Sequence, residues 1–475
     1  MAAPMSWMRL YGSRLLSEIG RRSHSSGAFL SSAAERGLFR EVFPAEGGAQ
    51  SLRDLLDSEQ QTVYCGFDPT APSLHVGHLL PLVGLLHFQR AGHNCIALIG
   101  GATAVIGDPS GRAREREPLS SDVLENNVRG IRESLQQILV HHDELCHEGG
   151  GSRVGGSFTV LNNAAWYRQR GAVEFLASVG RYLRMGTLLS RHSVQSRLRS
   201  AEGMSLTEFS YQLFQAYDFL YLHQQHGCRI QLGGNDQLGN LMTGHELIHK
   251  VTGQDVFGVT LPLVTSTTGD KLGKSAGNAV WLNREKTSPF ELYQFFVRQL
   301  DSNVERFLKL FTFLPLPEIK HIMEMHANEP ERRIPHKRLA AEVTKLVHGR
   351  AGLESAKRCT KALYNSSIEA LEVMSDEELQ ELFTEAPFAE FLFESGTTVL
   401  DMCRKMNAIP EGARGHEIIA TGGVNINHRR VSNPEEVLVP GQHILKNGLS
   451  LLRVGKRNFY IVKWLQLGDS ESILN

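Results

Sequence analysis

The chain has 475 residues, enough for about two or three domains with proper cores. Its 41% hydrophobic and 21% charged residues mark a soluble globular composition. A formal net charge of −1 excludes a polycation, so any nucleic-acid binding has to come from local patches.

The six cysteines are scattered and form no C-x-x-C, which argues against a disulfide framework or a zinc knuckle and fits a reducing interior. No stretch approaches the roughly 20 apolar residues of a membrane span, so no membrane association is expected. Residues 1–30 read differently from the rest. Arg9, Arg14, Arg21 and Arg22 stand against the single acid Glu18, serines are frequent, and Met8, Tyr11, Leu15 and Ile19 recur at helical spacing. That is the composition of a mitochondrial transit peptide; a disordered basic tail is the alternative.

From about residue 60, strand and helix patterns alternate. "TVYCGF" (62–67) reads as a buried strand, "LHVGHLLPLVGLLHFQRAG" (74–92) as a largely apolar helix, and "NCIALIGG" (94–101) as a second strand. Such a βαβ unit has parallel strands and a right-handed crossover. A helix follows at 121–141, strands at 157–161, 228–233 and 257–265, and a long helix at 205–226. The expected fold class is α/β, with a doubly wound, Rossmann-like parallel sheet that binds ligands beyond the carboxyl ends of its strands. After about 285 the β signal stops and helices are expected to about 390, including one basic helix over 336–363. Short elements return from 396, and residues 441–464 contain no acid.

Within this frame, "HVGH" places His75, Gly77 and His78 in the first turn of a helix, where unpaired N–H groups and the helix dipole favour anions. Phosphate binding, a metal with Asp68 as third ligand, and an ordinary helix start all remain open. "IGGATAVIGDPSGR" (99–112) takes a strand into a glycine-rich loop and presents Asp108. Tyr211, Gln215 and Asp218 are spaced four and three apart, forming one stripe on the long helix that is either a binding face or solvated. "QLGGNDQLGN" (231–240) offers Asp236 and Gln237 after a strand. "TTGDKLGKSAGN" (267–278) carries Lys271 and Lys274 on a glycine-rich loop, either closing over phosphates or forming a solvated hairpin tip.

Together these motifs resemble the class I aminoacyl-tRNA synthetases, "HVGH" matching the HIGH signature and "KLGKS" the KMSKS signature. "YCGFDPT", "GGATAVIGDPSG", "YQLFQAYDF" and "GGNDQLGN" resemble the tyrosyl-tRNA synthetases within that class, and the presequence resembles that of mitochondrial members. The resemblance covers roughly residues 35–465. It implies ATP-dependent attachment of L-tyrosine to tRNA(Tyr) through a tyrosyl-adenylate, by a homodimer in the mitochondrial matrix. It places Tyr64 and Asp218 on the phenol, Asp108, Tyr211 and Gln215 on the ammonium, and Gln237 near the carboxylate. Asp68, Thr70, His75, Gly77 and His78 would meet ATP, Gly234 and Asp236 its ribose, Val264 the adenine, and Lys271 and Lys274 the pyrophosphate. Mg2+ would travel on the ATP phosphates, with no protein-held metal. The implied domains are a transit peptide (1–30), a Rossmann-like catalytic domain (35–285), an α-helical anticodon-recognition domain (286–385) and a small α+β S4-like RNA-binding domain (396–464).

The sequence departs from the family at Val76, at Leu272-Gly273 within the lysine motif, and at Arg112, Asn235 and Leu238. None of these removes an implied catalytic group. Tryptophanyl specificity and a catalytically idle RNA-binding derivative are the rival readings; Asp218 beside Tyr64 suits a phenol better than an indole, and intact signatures argue against idleness. The acid-free stretch 175–201, with Arg181, Arg184, Arg191, Arg197 and Arg199, is expected near the tRNA acceptor arm or on a solvated or dimer-contacting face.

Overall fold

The computed structural model describes residues 26–112, 114–148, 155–264, 272, 274–275, 278–364, 368–375, 378–379, 387–455 and 458–465. The chain divides into two compact units, Met1–Thr287 with Phe295–His348, and Ser288–Gln294 with Gly349–Asn475. The first unit therefore continues past the expected boundary at 285 and takes in helices to His348.

The first unit is built on six strands, β1 (Glu41–Phe43), β2 (Thr62–Phe67), β3 (Asn94–Ile99), β4 (Phe158–Asn162), β5 (Cys228–Gly234) and β6 (Phe257–Leu261), in the order β1-β6-β5-β2-β3-β4. All neighbours pair in parallel except β1, which lies antiparallel on β6. From β2 the chain winds outward through β3 and β4; it then returns to β5, on the other side of β2. The switch point thus lies between β2 and β5, where ligands of such sheets bind. The strand expected over 257–265 stops at Leu261, and the edge strand β1, three residues long, was not foreseen.

Around the sheet run α1 (Ser26–Glu35), α2 (Gly48–Ser58), α3 (Val76–Arg90), α4 (Ser121–Glu148), α5 (Leu206–His226) and α6 (Leu238–Thr252), followed by α7 (Asp301–Phe311), α8 (Leu316–Asn328) and α9 (Ile334–Tyr364). Helix α3 is buried on nearly every face, with Leu79, Leu82, Val83, Leu85, Leu86 and Phe88 all sealed from solvent. An all-round apolar helix belongs in an interior. Gly84 lets it approach the sheet, because a Cβ there would lie 2.9 Å from Leu232 Cδ2. Helix α5 starts at the Ser205 cap, whose Oγ accepts from the Glu208 N–H at 3.1 Å, and ends at the left-handed Gly227. Residues 26–30 of the expected presequence belong to α1, where the Phe29 ring packs 4.9 Å from that of Phe88; residues 1–25 lie outside the described ones.

The basic helix expected over 336–363 is interrupted. Gly349 adopts φ 70 and ψ −173, so α9 is two helices meeting at a kink. Beyond it, the second unit holds a five-stranded sheet of β7 (Phe388–Leu392), β8 (Val424–Ile426), β9 (Arg429–Val431), β10 (Leu449–Val454) and β11 (Asn458–Leu465), ordered β9-β8-β10-β11-β7. Strand β7 pairs in parallel with β11, so the helical reading to about 390 overran a strand. Helices α10 (Val399–Lys405) and α11 (Ala413–Ala420) cover this sheet over a core that includes Met402, Ile419, Leu452 and Trp464.

Candidate active site

The "HVGH" turn opens α3 beside the end of β2. His75 is the cap: the Gly77 N–H donates to its Nδ1 at 3.0 Å, while the His75 N–H donates to Nδ1 of His78 at 3.3 Å. A nitrogen that accepts carries no proton, so each ring is a neutral imidazole with its proton on Nε2. The rings lie 3.9 Å apart, tilted by 34°. Two N–H donors are thereby fixed in one place by the backbone that starts the helix.

The lysine motif is tied to this turn. The Val76 N–H donates to the Val280 carbonyl at 3.0 Å and the Leu282 N–H to the Leu74 carbonyl at 2.8 Å. The Leu272 carbonyl stands 3.3 Å from where a Cβ on Gly77 would sit, and the Leu272 N–H donates to the Val264 carbonyl at 2.8 Å. Lys274 starts a two-residue strand that pairs with Asn278–Ala279, Lys274 opposite Ala279. Lys271 lies outside the described residues.

A second cluster lines the same sheet edge. Asp68 Oδ1 accepts from Thr103 Oγ1 and Oδ2 from the Tyr211 hydroxyl, both at 2.8 Å. Desolvation, then the nearby Asp108 charge, pushes its pKa up to about 6. The Thr70 N–H donates to the Asp68 carbonyl at 2.8 Å, closing the turn after β2. Gly100 is required here, since any Cβ would overlap the Asp68 carboxylate. Asp108 Oδ2 accepts from Gln237 Nε2 at 2.7 Å, and Gln237 Oε1 accepts in turn from Asn240 at 3.0 Å. Burial pushes the Asp108 carboxyl up as well. Gly234 ends β5, and a Cβ on it would come within 2.5 Å of Asp236 Oδ1.

Asp218 forms the deep end. It is 3% exposed, its Oδ2 accepts from Asn163 Nδ2 at 3.0 Å, and its Oδ1 accepts from Trp166 Nε1 at 2.9 Å. Burial nevertheless pushes its pKa up to about 7, and its charge helps to raise the Tyr64 phenol. Among the described residues the Tyr64 hydroxyl and Gln215 Oε1 are enclosed with no hydrogen-bond partner. Enclosed polar atoms of this kind call for a partner, and these two lie on residues expected to meet the substrate.

The Tyr211 hydroxyl, expected with Asp108, rests instead on Asp68, which joins the expected ammonium and ATP groups into one network. Thr103, Asn163 and Trp166 were missed. Asn163 links them, donating to both Thr103 Oγ1 and Asp218. It follows the last residue of β4, so the rule that ligands sit beyond strand ends could have found it; Thr103 lies inside the quoted glycine-rich motif. The basic stretch 175–201 is partly internal. Arg197 is fully buried in a bidentate pair with Glu208 at 2.7 and 2.9 Å, and Arg191 reaches Glu246 at 3.4 Å. Arg181, Arg184 and Arg199 are exposed.

Residues 57–365 match the family described as tRNA synthetases class I (W and Y). The chain is 65% identical to the mitochondrial tyrosine–tRNA ligase of Homo sapiens over 480 residues, covering 98% of this chain and 100% of that protein. It is 38% identical to the tyrosine–tRNA ligase of Geobacillus stearothermophilus over 431 residues, or 90% and 98% of the two chains. The crystal structure of a C-terminally truncated mitochondrial tyrosyl-tRNA synthetase from Aspergillus nidulans superimposes with a TM-score of 0.65 at 34% identity, covering 74% of this chain and 99% of that one. With the HVGH turn, the doubly wound sheet and its switch-point cluster all in place, the chain belongs to the class I tyrosyl-tRNA synthetases.

Proposed function

We propose that this chain activates L-tyrosine with ATP and transfers it to tRNA(Tyr) for mitochondrial translation, acting as a homodimer in the matrix. The observation that carries this reading is the enclosed Tyr64 hydroxyl, which has no partner of its own beside the buried Asp218. A phenol entering there donates to Asp218 and meets the Tyr64 hydroxyl. Phenylalanine leaves the Tyr64 hydroxyl unpaired and gives Asp218 no bond in return for the water it displaces, the physical basis of selectivity by buried polar groups, of which tyrosyl enzymes are a well-known instance.

The tyrosine carboxylate is the nucleophile and is already ionised, so the reaction needs no general base. It attacks the α-phosphorus in line and pyrophosphate leaves. The protein supplies position and charge. Asp108, Tyr211 and Gln215 hold the ammonium, and Gln237 lies near the carboxylate. Asp68, Thr70 and Gly77 border ATP, while Gly234 and Asp236 take its ribose and Val264 its adenine. The Nε2–H groups of His75 and His78 donate to phosphoryl oxygens as charge develops, and Lys271 and Lys274 take the pyrophosphate. Mg2+ arrives on the ATP phosphates as part of the substrate. The ribose of the terminal adenosine of the tRNA then attacks the adenylate.

Residues 286–385 are assigned to anticodon recognition and 396–464 to an S4-like RNA contact. The exposed Arg404, Lys405, Arg414, Arg429 and Arg430 support the second assignment. Residues 1–30 serve as the import signal. No described helix is long and apolar enough to cross a membrane. The test is ATP–pyrophosphate exchange with each standard amino acid, followed by charging of tRNA(Tyr). Exchange with tyrosine alone is expected. Exchange with tryptophan instead, or RNA binding without exchange, overturns the reading.

A further inference from the structure

Away from the sheet edge, three helices of the first unit bring two imidazoles and a carboxylate together. Asp301 opens α7, His326 lies in the last turn of α8, and His336 lies in the first turn of α9. One ligand atom from each lies within 4.8 Å of the other two. His336 is sealed from solvent and His326 is 7% exposed, while Asp301 faces outward with 61% of its side chain accessible. His336 Nε2 is 3.0 Å and His326 Nε2 3.6 Å from the same atom, Asp301 Oδ1.

The donor set distinguishes this cluster from an ordinary ion pair, since two imidazoles share one carboxylate oxygen. His336 has a backbone contact at Gln299 besides the 3.0 Å approach to Asp301, and Nδ1 of His326 has no hydrogen-bond partner among the described residues. Two imidazoles thus stand beside one carboxylate oxygen, with all three donor atoms inside a 4.8 Å span. Donors around a tetrahedral zinc ion stand about 3.3 Å apart, given the usual bond lengths to nitrogen and oxygen. The observed separations of 3.0 and 3.6 Å bracket that figure. The guanidinium of Arg333 donates to the Val297 and Gln299 carbonyls at 2.8 and 2.9 Å, and its charge still reaches His336 and works against a cation there.

We propose that Asp301, His326 and His336 form a binding site for a divalent transition ion of the zinc class, which clamps α7, α8 and α9 together and keeps a fourth position open to water. Two imidazoles select such an ion over magnesium or calcium, which take oxygen donors. The site lies apart from the residues assigned to tyrosine and ATP, so its part is structural. Nothing in it depends on the reaction proposed above.

The test titrates full-length, chelator-treated protein with Zn2+, and with Co2+ as a spectroscopic probe, reading bound metal after dialysis and the melting temperature. Wild type is expected to retain one equivalent more than His326→Ala or Asp301→Asn, and to melt higher with Zn2+ where the variants do not. Asp301 is exposed, so Asp301→Asn keeps the fold, checked by unchanged tyrosine-dependent exchange. Equal metal uptake by wild type and Asp301→Asn, or a Co2+ spectrum that survives both substitutions, reduces the cluster to an ordinary polar contact and overturns the proposal.

Discussion

Asn163 donates to Asp218 Oδ2 at 3.0 Å, and this single bond joins the deep end of the cleft to the Thr103–Asp68 group. Asn163 and Trp166 each donate to one Asp218 oxygen and the proposed phenol adds a third donor, an arrangement that favours the carboxylate. Its pKa of about 7 is raised by burial and restrained by Asn163. Tyrosine affinity is therefore expected to fall as pH drops through about 7. In Asn163→Ala the limb moves to higher pH, and kcat/KM for tyrosine falls about 10- to 100-fold, the worth of a hydrogen bond to a charged group. A pH series of pyrophosphate exchange checks this; an unmoved limb refutes it. By the same linkage, ionised Asp218 opposes stability fully above about pH 7, and that opposition fades as pH falls toward the ordinary carboxylate range.

Gly77→Ala puts a Cβ 2.8 Å from His75 Cε1 and 3.3 Å from the Leu272 carbonyl. The cap is lost at about 0.5–2 kcal/mol and both imidazoles move. Exchange is expected to fall while tyrosine binding, measured by calorimetry, stays within about twofold. Equal losses in the two assays would count against the phosphate role of the turn.

Lys274→Ala is expected to slow adenylate formation about 100-fold while leaving tyrosine binding nearly intact, because the proposed role sets its charge on the leaving pyrophosphate. Comparing exchange with a tyrosine titration decides it. A parallel loss in both assays contradicts the assignment.

Arg197→Met leaves Glu208 charged and buried, and is expected to destabilise the first unit by about 3–5 kcal/mol. Arg197→Met with Glu208→Leu should recover most of that. Denaturant unfolding of the three proteins measures both values; no recovery in the double variant would mean that the guanidinium acts by packing alone.

Much of this was legible because local chemistry and fold agree. The apolar run of α3, the Ser205 and Gly227 punctuation of α5 and the strand-then-glycine endings of β3 and β5 each follow from the residues themselves. What escaped depended on distant partners. Trp166 gains meaning only because α5 carries Asp218 to it, and "FAEFL" becomes strand β7 only because β11 offers it an edge. Gly349 was visible as a glycine, but its left-handed φ arises where two helices must change direction. The Asp301, His326 and His336 cluster shows no ligand spacing along the chain, since three helices supply one group each.

The hydrogen bonds from Val76 to Val280 and from Leu282 to Leu74 have a mechanical side. They splice the exit of the lysine motif onto the very turn that aims the histidines. A displacement of one is expected to drag the other, so in the proposed reaction the hold on the leaving phosphates and the aim at the α-phosphorus would change together.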